Sequence, residues 1–532
     1  MSSLLSADDL NDFIRPSVAC IKPVQEQNNK KKNDNEHIEL EFDVEVEIDK
    51  NGDMIQVEKA NEDEIPIVKK KLEKAQISLA DCLACSGCIT SSEEVLISQH
   101  SFQEFINHFN ENKNENIHYV LNLSQQSRAS LANVFNISIK LIDRVLSKIF
   151  KEFYGFEFIV SVNHGRKIAY NLLYQEVNEF KKNNENKSLL ASICPGWVLY
   201  VEKTHPELKK QMSKVRSPQY ITCRLIKEIL SKEYEYSKSK IYNLSIMPCF
   251  DKKLEASRDS DIVDCVITPK ELINLIEQDE RIDLDKIFNE ELMKSQTESY
   301  EDFVESVSPR GWYNGNLYGF GDDEGNESGG YSMNYLLEYK RINNLKDAII
   351  KSVQGRNEDV YELQLIENIN SDRILCRAGV INGFKNIQNL VRKLNEDEKG
   401  INAVVKKKKK MLISSRGRRG NKEDNSGGSN ITVDLTKCEF VEVMACPGGC
   451  INGGGQISAG TTEDSKAWRL SVAEKYRDVG IQSVQEENLL KWMGSFVEDI
   501  GDVAYSMVNE DIGANETVPD VAEVLLTSAS AW

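Results

Sequence analysis

The chain has 532 residues, 40% of them hydrophobic, and a net charge of −19. That length has room for two or three domains and a large core, and a charge of that sign argues against a general nucleic-acid or membrane-surface role. No run approaches the roughly 20 consecutive apolar residues of a membrane span.

The opening stretch, MSSLLSADDLNDF, lacks the basic and apolar regions of a signal peptide and the arginine-rich character of a transit peptide. A soluble intracellular chain is expected, so its 12 cysteines should be reduced, and clustered ones point to metal or redox chemistry rather than disulfides. The six histidines are scattered without an HExxH arrangement, which leaves zinc hydrolysis without support. A GxxxxGKS/T loop is also absent, which argues against a nucleotide-driven scaffold.

Cys20 lies in a short apolar segment, Ser17–Pro23, ahead of the low-complexity run NNKKKNDNE at Asn28–Glu36, which reads as a disordered insertion. The alternating run Ile38–Ile48 predicts a strand with an acidic outer face. Asn51-Gly52 is a turn signal, and Met54–Val57 should pair back as a hairpin. Next, DCLACSGCI at Asp81–Ile89 places Cys82, Cys85 and Cys88 in a C-x2-C-x2-C spacing. Three thiolates so spaced fit one corner of a 4Fe-4S cubane, as in bacterial-type ferredoxins. A zinc knuckle is the rival and would need a fourth ligand nearby, for which Cys20 and His100 are the candidates.

From Ile117 the pattern becomes strand–helix alternation, the signature of a parallel sheet covered by helices. Strands are predicted at Tyr119–Leu123, Phe158–Val162, Leu189–Ile193, Leu244–Met247, Ile262–Ile267 and Ile374–Ile381. Helices are predicted at Ser127–Phe135, Tyr220–Leu230, Tyr331–Tyr339 and Asn386–Leu394, and at Pro269–Glu277 behind a Thr268 cap. Cys194 and Cys249 each follow the carboxyl end of a strand, the edge at which ligands of open α/β sheets gather. Asp279–Trp312 is acidic and carries no clear periodicity. The segment near 405–430 is basic, then rich in glycine and serine. Nuclear import or nucleic-acid contact is one reading of it, and a solvated insertion is the other, since no aromatic residues are interleaved to stack on bases.

The stretch Phe440–Gln456, FVEVMACPGGCINGGGQ, carries the densest chemical signal. An apolar run suited to a buried strand delivers Cys446 and Cys450, separated by Pro-Gly-Gly and followed by Gly453-Gly454-Gly455. Glycines let a backbone approach a bulky inorganic cluster closely, and the proline restricts the loop. A reduced, buried cysteine pair in a tight turn is the alternative. Beyond it, Ala467–Gly480 reads as an amphipathic helix.

Taken with ASICPGW at Ala191–Trp197 and MPCFDKKLEA at Met247–Ala256, this stretch resembles the signature peptides of the iron-only hydrogenases. The best match is to their eukaryotic hydrogenase-like branch in cytosolic iron–sulfur protein assembly, the nuclear prelamin A recognition factor-like family. The resemblance runs from Cys20 to the last residue. It implies an α/β fold, a hydrogenase-like body of two parallel-sheet lobes preceded by a small ferredoxin-like cluster domain. The expected boundaries are 1–115, 116–465 for the body, and 466–532 for a helical small-subunit-like region and tail.

The resemblance further implies two 4Fe-4S clusters. Cys20, Cys82, Cys85 and Cys88 would hold the first, and Cys194, Cys249, Cys446 and Cys450 the second. The matching positions for a di-iron subsite are Cys450 as bridge, with Met247, Lys252 and Met444 lining its pocket. Where hydrogenases carry a proton-relaying cysteine this chain has Ile193, which can neither donate nor accept a proton, so hydrogenase activity is not expected. The function implied is that of a cytosolic assembly factor, cytoplasmic and also nuclear. It would link early scaffold P-loop ATPases to a late WD40-containing targeting complex, with no direct nucleic-acid or membrane partner. A redox enzyme or hydrogenase using a modified cluster is the alternative. The last segment, VPDVAEVLLTSASAW, ends in Trp532. That ring could enter a pocket of the targeting complex, or the segment could be a frayed tail. Cys223, Cys265, Cys376 and Cys438 have no ligand spacing and read as small buried hydrophobes.

Overall fold

The computed structural model describes residues 44–48, 54–58, 70–71, 91–184, 186–312, 325–398, 433–458, 462–478 and 491–496. The chain divides into two units, Met1–Thr90 and Ser91–Trp532. In the first, strands β1 (Val44–Ile48), β2 (Met54–Glu58) and β3 (Lys70–Lys71) form an antiparallel sheet in that order. Of the alternating acidic run, Val44–Ile48 is a strand that pairs with Met54–Glu58 in the hairpin expected from its pattern, and 38–43 lie outside the described residues. The Asn51-Gly52 turn lies outside the described residues, as do Cys20, Cys82, Cys85 and Cys88.

The second unit opens with two helices, α1 (Ser91–Ser98) and α2 (Phe102–Glu111). A strand–helix alternation follows: β4 (His118–Leu123), α3 (Gln125–Val134), α4 (Ile139–Tyr154), β5 (Phe158–Ser161) and α5 (Asn163–Asn183). It continues through β6 (Leu189–Leu190), α6 (Pro195–Thr204), α7 (Pro218–Glu233), β7 (Ile241–Ile246), α8 (Asp251–Arg258), β8 (Cys265–Ile267) and α9 (Pro269–Gln278). The acidic stretch that showed no periodicity contains α10 (Leu284–Lys294) and α11 (Tyr300–Val307). After α12 (Tyr331–Ile342) come β9 (Ile349–Gln354), β10 (Val360–Ile366), β11 (Ile374–Asn382), α13 (Phe384–Glu398), β12 (Phe440–Met444) and α14 (Thr462–Arg477).

Two sheets carry this unit. The first, ordered β5-β4-β7-β8, is parallel throughout. Its strands are short apolar runs, and all six residues of β4 and of β7 are buried, as strands covered by helices on both faces must be. In α4, Ile142, Leu146, Ile149 and Phe150 recur at helical spacing and pack with Leu121, Leu244 and Ile246 in one apolar cluster. The second sheet is ordered β6-β12-β11-β10-β9. Its β6, β12 and β11 are parallel, whereas β10 and β9 run antiparallel at the edge. That hairpin edge extends a lobe whose other strands follow the parallel arrangement.

Local signals fix the helix starts. Ser124, Ser138 and Ser217 each accept a backbone N–H of the helix they precede, and Thr268 and Glu271 form a full capping box. Among the described residues no helix is long and apolar enough to cross a membrane.

Candidate metal centre

Cys194, Cys249, Cys446 and Cys450 line one recess. They reach it from both sheets. Adjacent parallel strands β6 and β12 lead toward Cys194 and Cys446, and β7 of the other sheet leads to Cys249. The recess therefore sits at the carboxyl ends of parallel strands, where the crevices of α/β folds lie. Its open volume is about 70 Å³, room for several water molecules and far more than an accidental packing gap.

Each cysteine is held by a different local device. Cys194 is the N-cap of α6, which begins with Pro195-Gly196, so the helix dipole favours a thiolate there. The backbone N–H of Ala445, next to Cys446, lies 3.4 Å from the Cys194 Sγ. Gly449 has φ of +81°, and a Cβ there would collide with the Ser328 hydroxyl. That close approach lets Ser328 Oγ accept the Cys450 N–H at 2.9 Å. Gly453 and Gly455 bring the Cys450 loop against the loop of Cys249, since the Gly455 N–H donates to the Pro248 carbonyl at 3.0 Å. These glycines thus lock one cysteine loop against another, a role that spacing alone did not reveal.

Cys194 is buried, and Cys249, Cys446 and Cys450 are half-buried. Desolvation raises all four thiols, and for Cys194 and Cys249 the Asp251 carboxylate adds to it. For Cys446 and Cys450 the next contribution is the neighbouring thiol of Cys194, and Cys450 is pushed up to about 12. Four thiols that resist ionising side by side require a cationic partner to exist as thiolates. Among the described residues no three His, Cys, Asp or Glu side chains converge tightly enough for a lone metal ion. The four cysteines instead surround a space, and soft sulfur donors around a space suit a polynuclear iron–sulfur group. The donor set and the glycine-tightened loops therefore fit such a group.

Met247, Lys252 and Met444 line the recess together with Ile193, in keeping with their expected positions. Lys252 is engaged by Glu255 at 2.6 Å and by the Ile193 carbonyl at 3.1 Å. Met444 Sδ lies 3.6 Å from Cys450 Sγ. Sequence reading missed Gln125, Gln126, Arg166, Gln219, Ser328 and Tyr331 as members of the wall. The glycine-rich stretch GNESGG at Gly325–Gly330, just before the helix predicted from Tyr331, is the signal that could have pointed to Ser328. Cys223, Cys265, Cys376 and Cys438 are all buried away from this wall. Residues 405–430 and Trp532 lie outside the described residues.

Residues 117–454 match the family model described as the iron only hydrogenase large subunit, C-terminal domain. A relative in Meyerozyma guilliermondii, named cytosolic Fe-S cluster assembly factor NAR1, is 41% identical over 517 residues, covering 93% of this chain and 94% of the relative. A protein of the same name in Saccharomyces cerevisiae is 35% identical over 472 residues, covering 86% of each chain. Among solved structures, the apo FeFe-hydrogenase HydA1 of Chlamydomonas reinhardtii superposes with a TM-score of 0.50 at 16% identity, covering 74% of this chain and 95% of that one. That likeness is one of fold.

Proposed function

This chain belongs to the iron-only hydrogenase-like family that includes the NAR1 proteins, and from that premise we propose that it is a cytosolic iron–sulfur protein assembly factor. The observation that carries the reading is the convergence of Cys194, Cys249, Cys446 and Cys450 on one recess, in a chain 41% identical to a named assembly factor along nearly its whole length.

In this reading Cys194, Cys249, Cys446 and Cys450 hold one 4Fe-4S cluster, and Cys20, Cys82, Cys85 and Cys88 hold another. When bound, such a cluster supplies one-electron chemistry and a transferable inorganic core. The chain's own residues position the thiolates and set the Arg166 and Lys252 cations in the wall around them. The N-terminal cluster domain spans 1–115, the body 116–465 and the C-terminal region 466–532. The upstream partners are P-loop scaffold ATPases. Downstream stands a WD40-containing targeting complex contacted through Trp532. The protein acts in the cytoplasm and serves nuclear clients as well.

A non-catalytic role is supported by the side chain at position 193. Ile193 lines the recess and offers no proton relay to it. The reading is tested by expressing this chain in Saccharomyces cerevisiae depleted of its own NAR1. Restored maturation of a cytosolic iron–sulfur enzyme supports it, provided that Cys446→Ala fails to restore it. No rescue by a well-expressed parent chain counts against it.

A further inference from the structure

The last turn of α14 reaches the wall of the recess although it lies more than 20 residues beyond the last candidate ligand. The phenol of Tyr476 accepts a hydrogen bond from the Arg166 guanidinium at 2.7 Å, and its carbonyl accepts one from Gln125 Nε2 at 2.9 Å. Arg166 and Gln125 both line the recess, and both are buried, as is Tyr476. One residue further on, Arg477 forms an ion pair with Glu327. The Glu327 carbonyl accepts from Gln126, a third wall residue, at 3.0 Å, and the adjacent Ser328 holds the Cys450 backbone N–H. A single helical turn is thus joined to both sides of the recess. One link runs through α3 and α5. The other runs through the Glu327-Ser328 loop to a candidate ligand.

We propose that Tyr476 and Arg477 are positioning residues of the second cluster site, and that loss of the contacts of this turn loosens the recess wall. The proposal rests on the reading that the recess holds an iron–sulfur cluster. The chemistry is electrostatic. Four thiolates around an iron–sulfur core leave a net negative charge, and Arg166 is a buried cation of the wall whose guanidinium the Tyr476 phenol holds in place. Loss of the phenol hydroxyl removes one contact of the guanidinium and one of the three bonds that join the turn to residues of the recess wall and its flanking loop. A hydrogen bond to a charged group is worth enough to change a closed-to-open ratio about tenfold. The Arg477–Glu327 pair is largely exposed on its arginine side, so its loss changes the ratio by about threefold. The other contacts of α14, such as Trp468 Nε1 to the Ile457 carbonyl at 2.9 Å, hold its opening turns and survive both substitutions.

The test uses the full chain carrying Cys82→Ala, so that the N-terminal site is silenced, loaded anaerobically and exposed to bathophenanthroline disulfonate. Tyr476→Phe is expected to release iron about tenfold faster than the parent, and Arg477→Gln about threefold faster. The control is Tyr154→Phe, which removes a phenol bonded to Asp279 at 2.7 Å in the α4 layer and should leave the release rate unchanged. Thermal midpoints of the cluster-free variants are measured alongside. Release by Tyr476→Phe at the parental rate overturns the proposal. So does a release rate that simply follows the thermal midpoint across all variants, Tyr154→Phe included. If the Cys82→Ala parent binds no iron, the reading of the recess falls and the proposal with it.

Discussion

The Gly455 N–H donates to the carbonyl of Pro248 at 3.0 Å, and this bond ties the loop of Cys446 and Cys450 to the loop of Cys249. The contact is possible only because the position two residues earlier is also glycine. A Cβ at Gly453 would strike that same Pro248 oxygen. The glycine run therefore closes the recess from one sheet to the other.

Gly453→Ala should consequently push the two loops apart. Overpacking of this kind costs about 1–3 kcal/mol. The measurement is iron content after anaerobic reconstitution together with the thermal midpoint. The expected outcome is a loss of about half the iron with the fold retained. Iron content equal to the parent's would remove the loop–loop contact from the account.

Ser328→Ala removes the acceptor of the Cys450 N–H. A buried donor left unpaired costs about 1–3 kcal/mol, so the cluster-free protein should unfold at lower denaturant with an unchanged slope. An unchanged midpoint would show that the hydroxyl does not hold the ligand loop.

Glu442 lies fully buried on β12, where desolvation raises its carboxyl from 4.5 to about 7, although the Ser332 N–H bonds one of its oxygens. A carboxyl whose folded value is raised holds its proton when the unfolded chain has already lost it. The contribution of Glu442 to stability is therefore fully present below about 4.5 and is lost as the pH rises toward 7. Glu442→Gln should flatten that decline, with an effect on the order of 3 kcal/mol at most above neutrality. Denaturant midpoints of the cluster-free proteins between pH 5 and 8 provide the check. Parallel curves would contradict it.

Ile193 is 8% exposed at the wall of the recess. With no proton relay there, the loaded protein should evolve no hydrogen from a chemical reductant, and Ile193→Cys alone should not confer that activity. Hydrogen production by the unaltered chain would favour the redox-enzyme alternative.

Much of this centre was legible because it is built from strand-end cysteines. Phe440–Met444 is an apolar run broken only by Glu442, and it forms a strand with every residue buried. Thr268 was legible as the cap of the helix that starts at Pro269, and the fold adds the reciprocal Glu271 bond of a full capping box. Less visible were features decided by tertiary partners. β9 is mostly exposed and holds a lysine and a serine, so neither alternation nor a buried run marked it, and its pairing with β10 supplies the order. The strand expected at Leu189–Ile193 is only Leu189–Leu190, since Ser192 turns its hydroxyl to the Ser213 carbonyl at 2.5 Å and the chain leaves the ladder toward Cys194. Arg166 and Tyr476 are separated by 310 positions, and only the folded chain brings them together.

The central claim is that Cys194, Cys249, Cys446 and Cys450 act as one ligand set beside a second set at the N-terminus. It is tested most directly by iron and sulfide counting, with EPR of the reduced protein, on anaerobically loaded parent and Cys446→Ala. The account expects about eight iron and eight sulfide in the parent, and about four of each in the variant with one EPR signal lost. Equal iron content and identical spectra in the two proteins would contradict it.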